Sequence, residues 1–279
     1  MISLQSLRLY NPYRATMFRK PLPRSPNQPH QRNGGVWGKL LLALPVFYST
    51  IYVVSRLVVG VWFQEDAIST VELEGPAAYG FTLAFFLFFT PLLYAFCCGL
   101  AGEMIQPEWR RIALYSGATF CCGASCEIAI GTISEFLLGR KVWRYHVWPK
   151  HDGYTSGVGA VMWPMYGFYL FLLRQALHKR GLKQHIENAL FSGVLTGIDA
   201  MMLETMANTF SLFGWNIYYF YYYAPDLNHF TSAEIFFAYV LCGTLGALLL
   251  KVLDQPKFPM AVIGLAFYVV GIWVVFGLD

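Results

Sequence analysis

Long apolar runs separated by short polar segments occupy most of the chain. Seven runs are long enough for a membrane-spanning helix, near 40–62, 77–100, 112–138, 159–177, 188–212, 233–250 and 259–277. Crossing a bilayer as a helix takes about 20 mostly apolar residues. The runs do not alternate at every second residue, and only helices or closed barrels satisfy the backbone in lipid. The pattern therefore predicts an all-α fold, a polytopic transmembrane bundle of about seven spanning helices.

The composition supports a membrane protein. Apolar residues make up 56% of the 279 residues, charged residues only 13%, and the mean hydropathy is +0.45. A soluble domain has about a quarter charged residues, so this chain has too few charges to cover a surface that faces water. The six cysteines are spread through apolar runs, which excludes a secreted disulfide scaffold. The lipid bilayer is the expected partner, and no nucleic-acid partner is expected because the basic residues are dispersed.

The distribution of charge predicts the orientation. The first 39 residues contain seven Lys and Arg and no acid, whereas 64–76 contains four acids and no base. By the positive-inside rule, the amino terminus is cytoplasmic. Residues 1–38 are also rich in proline and predict a flexible basic tail, which precedes a single transmembrane helical domain over 39–279. The tail also resembles an organelle transit peptide, so the identity of the membrane stays open.

One loop departs from this orientation. Residues 139–152 are expected outside, yet they carry four cations, Arg140, Lys141, Arg144 and Lys150. Either late charges do not govern insertion, or these cations face a buried acid or an anionic ligand such as a lipid headgroup. We expect Arg144 to approach Glu127 or Glu135. A simpler prediction for Glu135, near the outer end of its helix, is an ion pair with either of the first two cations.

Four acidic residues fall inside the predicted helices, at Glu127, Glu135, Asp199 and Glu204. An ionisable group at membrane depth costs a few kcal/mol and usually faces the interior of the bundle. We therefore take Glu127, Asp199 and Glu204 as candidate catalytic residues. The alternative is that Asp199 and Glu204 hydrogen-bond between helices and only help them to pack. Asn208 lies four residues after Glu204, on the same helix face.

The most specific stretch of the sequence is 127–168. Two glutamates eight residues apart precede a W-x-Y sequence and a glycine, at Glu127, Glu135, Trp143, Tyr145 and Gly153. A P-x-Y-G-F sequence follows, with Pro164, Tyr166, Gly167 and Phe168. Both motifs resemble the CmpB-like family of small integral membrane proteins, which are described as ABC-transporter permeases. The resemblance implies transport, with a separate ATPase or another membrane subunit as partner.

The residues around this motif suggest a site at the membrane edge. Glycine and proline permit irregular backbone, which at membrane depth must line a cavity or be buried in protein. Tryptophan and tyrosine are suited to the rim. The candidate binding residues are Glu135, Trp143, Arg144, Tyr145, His146, Tyr166 and Asn208.

A second segment repeats this pattern loosely. Eight residues separate Glu135 from Trp143, and eleven separate Glu204 from Trp215. Transporters are often built from such internal repeats, so an internal duplication is predicted. The tyrosine-rich segment 218–223 predicts an aromatic belt at the outer membrane interface.

Two functions from different classes fit these features. In the first, a permease-like protein lines a polar pathway near one membrane face with its buried acids, and Arg144 and His146 stand at the outer mouth. In the second, an intramembrane cyclase or isomerase acts on a lipid or isoprenoid. There, a carboxylic acid kept protonated by desolvation protonates an alkene or epoxide, and aromatic rings stabilise the carbocation. A scaffold subunit without a site is a third alternative. The sequence contains no phosphate-binding loop or metal-ligand spacing, so no metal and no cofactor are expected.

Overall fold

A computed structural model describes residues 71–223, 229–255 and 258–277. The structure is mostly helical, at 74%. The tail over 1–38 and the first predicted helix, near 40–62, lie outside the described residues. All of the described residues belong to one compact unit, 46–279.

Seven helices occur in these ranges. They are α1 (Gly75–Ala101), α2 (Trp109–Leu138), α3 (Gly159–Lys179), α4 (Lys183–Ile186), α5 (Ala189–Trp215), α6 (Ala233–Leu253) and α7 (Met260–Phe276). Six of them coincide with the remaining predicted apolar runs. The single turn α4 is the exception, because its polar sequence carries no apolar run.

Polar caps and a glycine set several helix ends. The side chain of Asn188 accepts a hydrogen bond from the N–H of Phe191 at 3.1 Å and begins α5. Ser232 begins α6 in the same way, by accepting from the N–H of Glu234 at 3.2 Å. Such caps satisfy donors that the first helical turn leaves unpaired. At its other end, α1 stops at Gly102, whose φ of 77° is the left-handed conformation that glycine favours.

The helices mark a membrane protein. Four of them, α1, α2, α5 and α6, are long and apolar enough to cross a bilayer, and α7 is a shorter apolar helix of 17 residues. Large apolar side chains also cover their outer faces, including Leu87, Phe136, Leu241 and Trp273. An apolar surface of this extent is unfavourable in water and is the surface that lipid chains cover.

Four short strands join the helices at one end, so the fold is not entirely helical as expected. They are β1 (Trp143–Tyr145), β2 (Pro149–Lys150), β3 (Thr155–Ser156) and β4 (Phe220–Tyr222). Strands β1 and β4 pair antiparallel, as do β2 and β3. The strands form because buried backbone between two helices must find hydrogen-bond partners elsewhere in the chain.

Glycines allow neighbouring helices to approach closely. A Cβ added at Gly117 of α2 would lie 1.9 Å from the carbonyl oxygen of Gly264 in α7. Gly167 of α3 faces the backbone of α2 in the same way, and Gly193 of α5 faces the backbone of α6. Small residues at helix contacts are typical of membrane bundles, where van der Waals packing holds the helices together.

The tyrosine-rich segment does not form the expected aromatic belt. Tyr218 and Tyr219 are fully buried, and the next three residues are at most 8% exposed. Their rings pack against α1, α5 and one another, as the contact between Tyr219 and Phe81 illustrates at 5.4 Å between ring centres. The segment therefore belongs to the core, because the β1–β4 pairing carries it over the end of the bundle.

Candidate functional site

A cavity of about 600 Å³ lies among α2, α3, α5 and α6 and is closed at one end by β1 and β4. We call it the carboxyl cavity, because Glu127, Asp199 and Glu204 all line it. Most of its other wall residues are apolar or aromatic. Trp143, Tyr145 and Tyr166, which were candidates from the sequence, also line it.

Glu127 is held at the strand end of the cavity by three donors. Its Oε1 accepts a short hydrogen bond from the hydroxyl of Tyr145 in β1. Its Oε2 accepts from the hydroxyl of Thr155 in β3 at 2.6 Å and from the indole N–H of Trp163 in α3 at 3.3 Å. Glu127 itself is only 9% exposed. Because tyrosine, threonine and indole are neutral donors, they orient this carboxyl group without supplying a positive charge.

Glu204 is held in the same way from the other side. Its Oε1 accepts from the hydroxyl of Tyr222 in β4 at 2.6 Å and from that of Tyr239 in α6 through a short hydrogen bond. Its Oε2 accepts from the hydroxyl of Thr231, just before α6, at 2.6 Å. These partners come from segments 18 to 35 residues further along the chain.

Asp199 lies further along α5 and has a different set of partners. The hydroxyl groups of Tyr169 and Tyr166, both in α3, lie 2.9 Å and 3.3 Å from its two carboxyl oxygens. No ion pair from the described part of the chain reaches Asp199, Glu127 or Glu204. The three carboxyl groups are therefore buried acids whose partners within 71–223, 229–255 and 258–277 are all neutral.

The far end of the cavity carries positive charge. Arg174 of α3 and Lys251 of α6 line it there. The guanidinium of Arg174 donates to the hydroxyl of Tyr115 at 2.6 Å and lies 4.0 Å from a carboxyl oxygen of Asp254. The two ends of the carboxyl cavity thus differ in charge, with an apolar wall between them.

The cations of the 139–152 loop pair with acids outside the cavity. Arg144 contacts Glu72 at 2.8 Å, which corrects the expectation that it approaches Glu127 or Glu135. The segment before α1 makes this contact possible, because the N–H of Leu73 donates to the carbonyl of His146 at 2.7 Å and so places Glu72 beside β1. A bond between positions 72 residues apart could not be inferred from local sequence.

The other cations of this loop are also paired. Arg140 contacts Glu234 at 3.0 Å, and Lys141 forms a short ion pair with Asp152, so neither takes the expected role as partner of Glu135. Lys141 holds the pKa of the Asp152 carboxyl below its usual value. Lys150 lies over the ring of Phe276, 5.9 Å from its centre.

His146 is buried behind β1 rather than exposed at a mouth. It is 2% exposed, its Nδ1 lies 3.0 Å from the carbonyl oxygen of Val71, and it is not among the residues that line the carboxyl cavity. Burial lowers the pKa of this imidazole below its ordinary value. Half-buried Glu135 and partly exposed Arg144 also lie outside the cavity wall.

Asn208 ties the β4 segment to α5. Its side-chain oxygen accepts hydrogen bonds from the N–H groups of Tyr219 and Phe220 at 3.0 Å and 3.2 Å. Its amide nitrogen donates to the carbonyl oxygen of Phe230 at 3.2 Å. Both ends of this fully buried side chain are therefore used to hold the backbone that carries Tyr222 to Glu204.

Several residues of the site were missed by the sequence analysis. They are the hydroxyl and indole donors Thr155, Trp163, Tyr169, Tyr222, Thr231 and Tyr239. One signal could have found some of them, since a tyrosine follows each of Glu127 and Glu204 by 18 residues.

The described residues contain no group of three or more His, Cys, Asp or Glu side chains arranged to hold a metal ion. Comparison of the chain with protein-family models, with curated proteins and with solved structures gives no match. The resemblance of 127–168 to the CmpB-like family stays a prediction.

Proposed function

We propose that the chain is a multi-pass, permease-like integral membrane protein that binds a small amphipathic ligand in the carboxyl cavity. In this proposal Glu127, Asp199 and Glu204 face a positively charged or hydrogen-bond-donating group of the ligand. The bundle has about seven spans, the amino terminus is cytoplasmic, and the strand end of the cavity is on the outer side. The observation that carries the proposal is the burial of three carboxyl groups, held only by neutral donors, in the wall of one cavity.

The energetic argument concerns uncompensated charge. A carboxyl group at membrane depth costs a few kcal/mol, so such groups are usually retained where they act. Acids that only help helices to pack would lie between two packed helix surfaces. Here the carboxyl groups border about 600 Å³ of open space. A ligand that brings an ammonium group into this space would supply the missing opposite charge, while its apolar part would contact the cavity wall.

The same observations argue against an anionic headgroup at the 139–152 loop. Arg140, Lys141 and Arg144 each have an acidic partner in the structure. A cation that is already paired attracts an anion weakly. Any recognition of a negative group by this protein is better supported at the far end of the cavity, where Arg174 and Lys251 are.

Three probes with equal alkyl chains test the choice of ligand: octylamine, octanol and octanoate. Trp143 and Trp163 line the cavity, so binding to the purified protein can be followed by tryptophan fluorescence. We expect saturable binding of octylamine and none of the other two. Charge-assisted hydrogen bonds contribute about 1.5–3 kcal/mol, so Glu127→Gln or Glu204→Gln should weaken octylamine binding about tenfold or more.

Glu135→Gln is the matched control. It makes the same chemical change on the same helix as Glu127→Gln, but at a position outside the cavity wall. It should bind octylamine like the wild type. Equal binding of all three probes, or equal losses in Glu135→Gln and Glu127→Gln, would refute the proposal.

A second candidate function is supported by the aromatic wall. Trp143, Trp163 and Tyr166 line the cavity together with the acids, and aromatic faces stabilise cations. An intramembrane cyclase or isomerase that uses acid catalysis on an isoprenoid would need this combination. Comparison of lipid extracts from a deletion strain and the wild type separates the two functions. A changed lipid structure indicates an enzyme, whereas a ligand that is redistributed across the membrane without chemical change indicates a permease.

Labelling of single-cysteine variants tests the orientation. Variants in 64–76 and in 178–187 should be labelled by an impermeant thiol reagent from opposite sides of the membrane. The warrant is the excess of Lys and Arg in the second segment and their absence from the first. Labelling of both segments from the same side would refute the proposed topology.

A further inference from the structure

The donors to Glu127 and Glu204 follow the two glutamates at matching distances along the chain. The tyrosine donors lie 18 residues after each glutamate. The threonine donors lie 28 residues after Glu127 and 27 after Glu204. The donors from α3 and α6 lie 36 and 35 residues after them. Three independent contacts thus repeat in the same order, with a difference of one residue.

The pairing of β1 with β4 shows the same correspondence. Arg144 stands opposite Tyr221 at the centre of the pairing, and these residues are 221 − 144 = 77 positions apart. Glu127 and Glu204 are also 204 − 127 = 77 positions apart. Two antiparallel strands that pair about equivalent residues are related by a two-fold axis through the centre of the pairing.

The segments that enter α3 and α6 match as well. Each contains a threonine followed by a serine, at Thr155–Ser156 and Thr231–Ser232. The serine hydroxyl accepts from the backbone N–H two residues later in both cases, at 3.1 Å and 3.2 Å. Both helices are then 21 residues long.

We propose that the chain contains two copies of one helix–strand–helix unit, 109–179 and 189–253, and that Glu127 and Glu204 are equivalent halves of a single ligand site between them. The identity of the ligand rests on the function proposed above. Since α2 and α5 both lead into the paired strands, the two units point the same way across the membrane. Their axis is then along the membrane normal, as in transporters with parallel repeats.

This correspondence replaces the one expected from the sequence. Trp143 does not correspond to Trp215, because a shift of 77 residues places it on Phe220 of β4. The tryptophans misled because they stand on different sides of the turn between helix and strand. The equivalent residues are the hydrogen-bond donors, which become recognisable only when their common acceptors are known.

Asp199 breaks the symmetry and is inferred to determine specificity. The equivalent position in the first unit, 199 − 77 = 122, is Cys122. Tyr166, which contacts Asp199, is matched by Cys242 of α6. One half of the cavity therefore carries a carboxyl group where the other carries thiols. A ligand placed on the axis meets two different walls, and Asp199 selects the orientation in which its second polar group faces α5.

Matched pairs of variants test the equivalence. We expect Glu127→Gln and Glu204→Gln to weaken octylamine binding by factors that agree within about threefold. Tyr145→Phe and Tyr222→Phe, which remove the equivalent positioning hydroxyls, should weaken it by smaller factors that also agree. Octanol serves as the control for structural damage, since its weak partitioning should be the same in all four variants. Loss of octylamine binding in one member of a pair, with wild-type binding in the other, would overturn the inference and leave the proposed function standing.

The stability of the ligand-free protein separates the two proposals. If octylamine does not bind to the wild type, the proposed ligand class is wrong. The equivalence is then decided by melting temperature, because each tyrosine donates one hydrogen bond to one buried carboxyl group. Equal decreases for Tyr145→Phe and Tyr222→Phe, within about 2 °C, support the duplication. A decrease confined to one of them refutes it.

Discussion

The contact between α2 and α7 provides the sharpest test of the packing. At Gly117 an added Cβ would lie 1.9 Å from the carbonyl oxygen of Gly264, and at Gly264 it would lie 2.2 Å from the carbonyl oxygen of Ala113. Both obstacles are backbone atoms, which cannot turn aside as a side chain can. Gly117→Ala adds only this one carbon atom, so it is the smallest perturbation that probes the helix contact.

The magnitude follows from the displacement required. Ordinary contact begins at 3.4 Å, so the helices must separate by about 3.4 − 1.9 = 1.5 Å. A gap of 0.5–1 Å already removes about a quarter to a half of a dispersion contact. Overpacking of a well-packed site costs about 1–3 kcal/mol and sometimes more. Alanine gains up to about 1 kcal/mol over glycine in a helix, which offsets part of the loss. We expect a net decrease of about 2 kcal/mol in stability.

Thermal unfolding in detergent measures this effect. For a chain of this size, 1 kcal/mol corresponds to about 2–4 °C, so the apparent melting temperature should fall by about 4–8 °C. Gly80→Ala is the control, because an added Cβ at Gly80 in α1 has no atom within 4 Å. It should melt at or above the wild-type temperature. A Gly117→Ala protein that melts with the Gly80→Ala control would show that α2 and α7 do not touch through their backbones.

Three further predictions concern the strand end of the bundle. Burial lowers the pKa of His146 below its ordinary value of 6.5, so the stability that the neutral imidazole contributes is complete above pH 6.5 and is lost as the pH falls through the lowered pKa. The melting temperature should fall between pH 7 and pH 5, and less so in His146→Gln. Arg144→Lys should change the melting temperature by less than about 2 °C, because its 2.8 Å contact with Glu72 is partly exposed and such pairs contribute little; a large loss would indicate a further partner. Asn208→Leu should lose about 2 kcal/mol or more of unfolding free energy, since it leaves the N–H of Phe220 and its neighbour without an acceptor; wild-type melting would refute this role.

The chain's membrane character and most of its helices could be predicted from the sequence. Six apolar runs coincide with helices, because a run of apolar residues must both bury its side chains and satisfy its own backbone. The importance of Glu127 and Glu204 as buried acids could also be inferred, since their cost at membrane depth depends on composition alone. These inferences use only local information.

The arrangement of polar partners required the tertiary structure. The pairing of Arg144 with Glu72 joins positions 72 residues apart, and nothing near Arg144 in sequence distinguishes it from the predicted pairing with Glu135. The burial of Tyr218 and its neighbours likewise depends on β1, which covers them from 75 residues earlier. A tyrosine-rich segment has the same composition at a membrane surface and in a core.

The sequence by itself thus determined where the chain crosses lipid and which acids are costly there. Only the tertiary structure decided that Glu127 and Glu204 face one cavity with matching sets of donors. The physical reason is range. Helix formation and lipid burial are set within about 20 residues, whereas a hydrogen bond to a buried carboxyl group depends on which distant helix or strand is packed beside it.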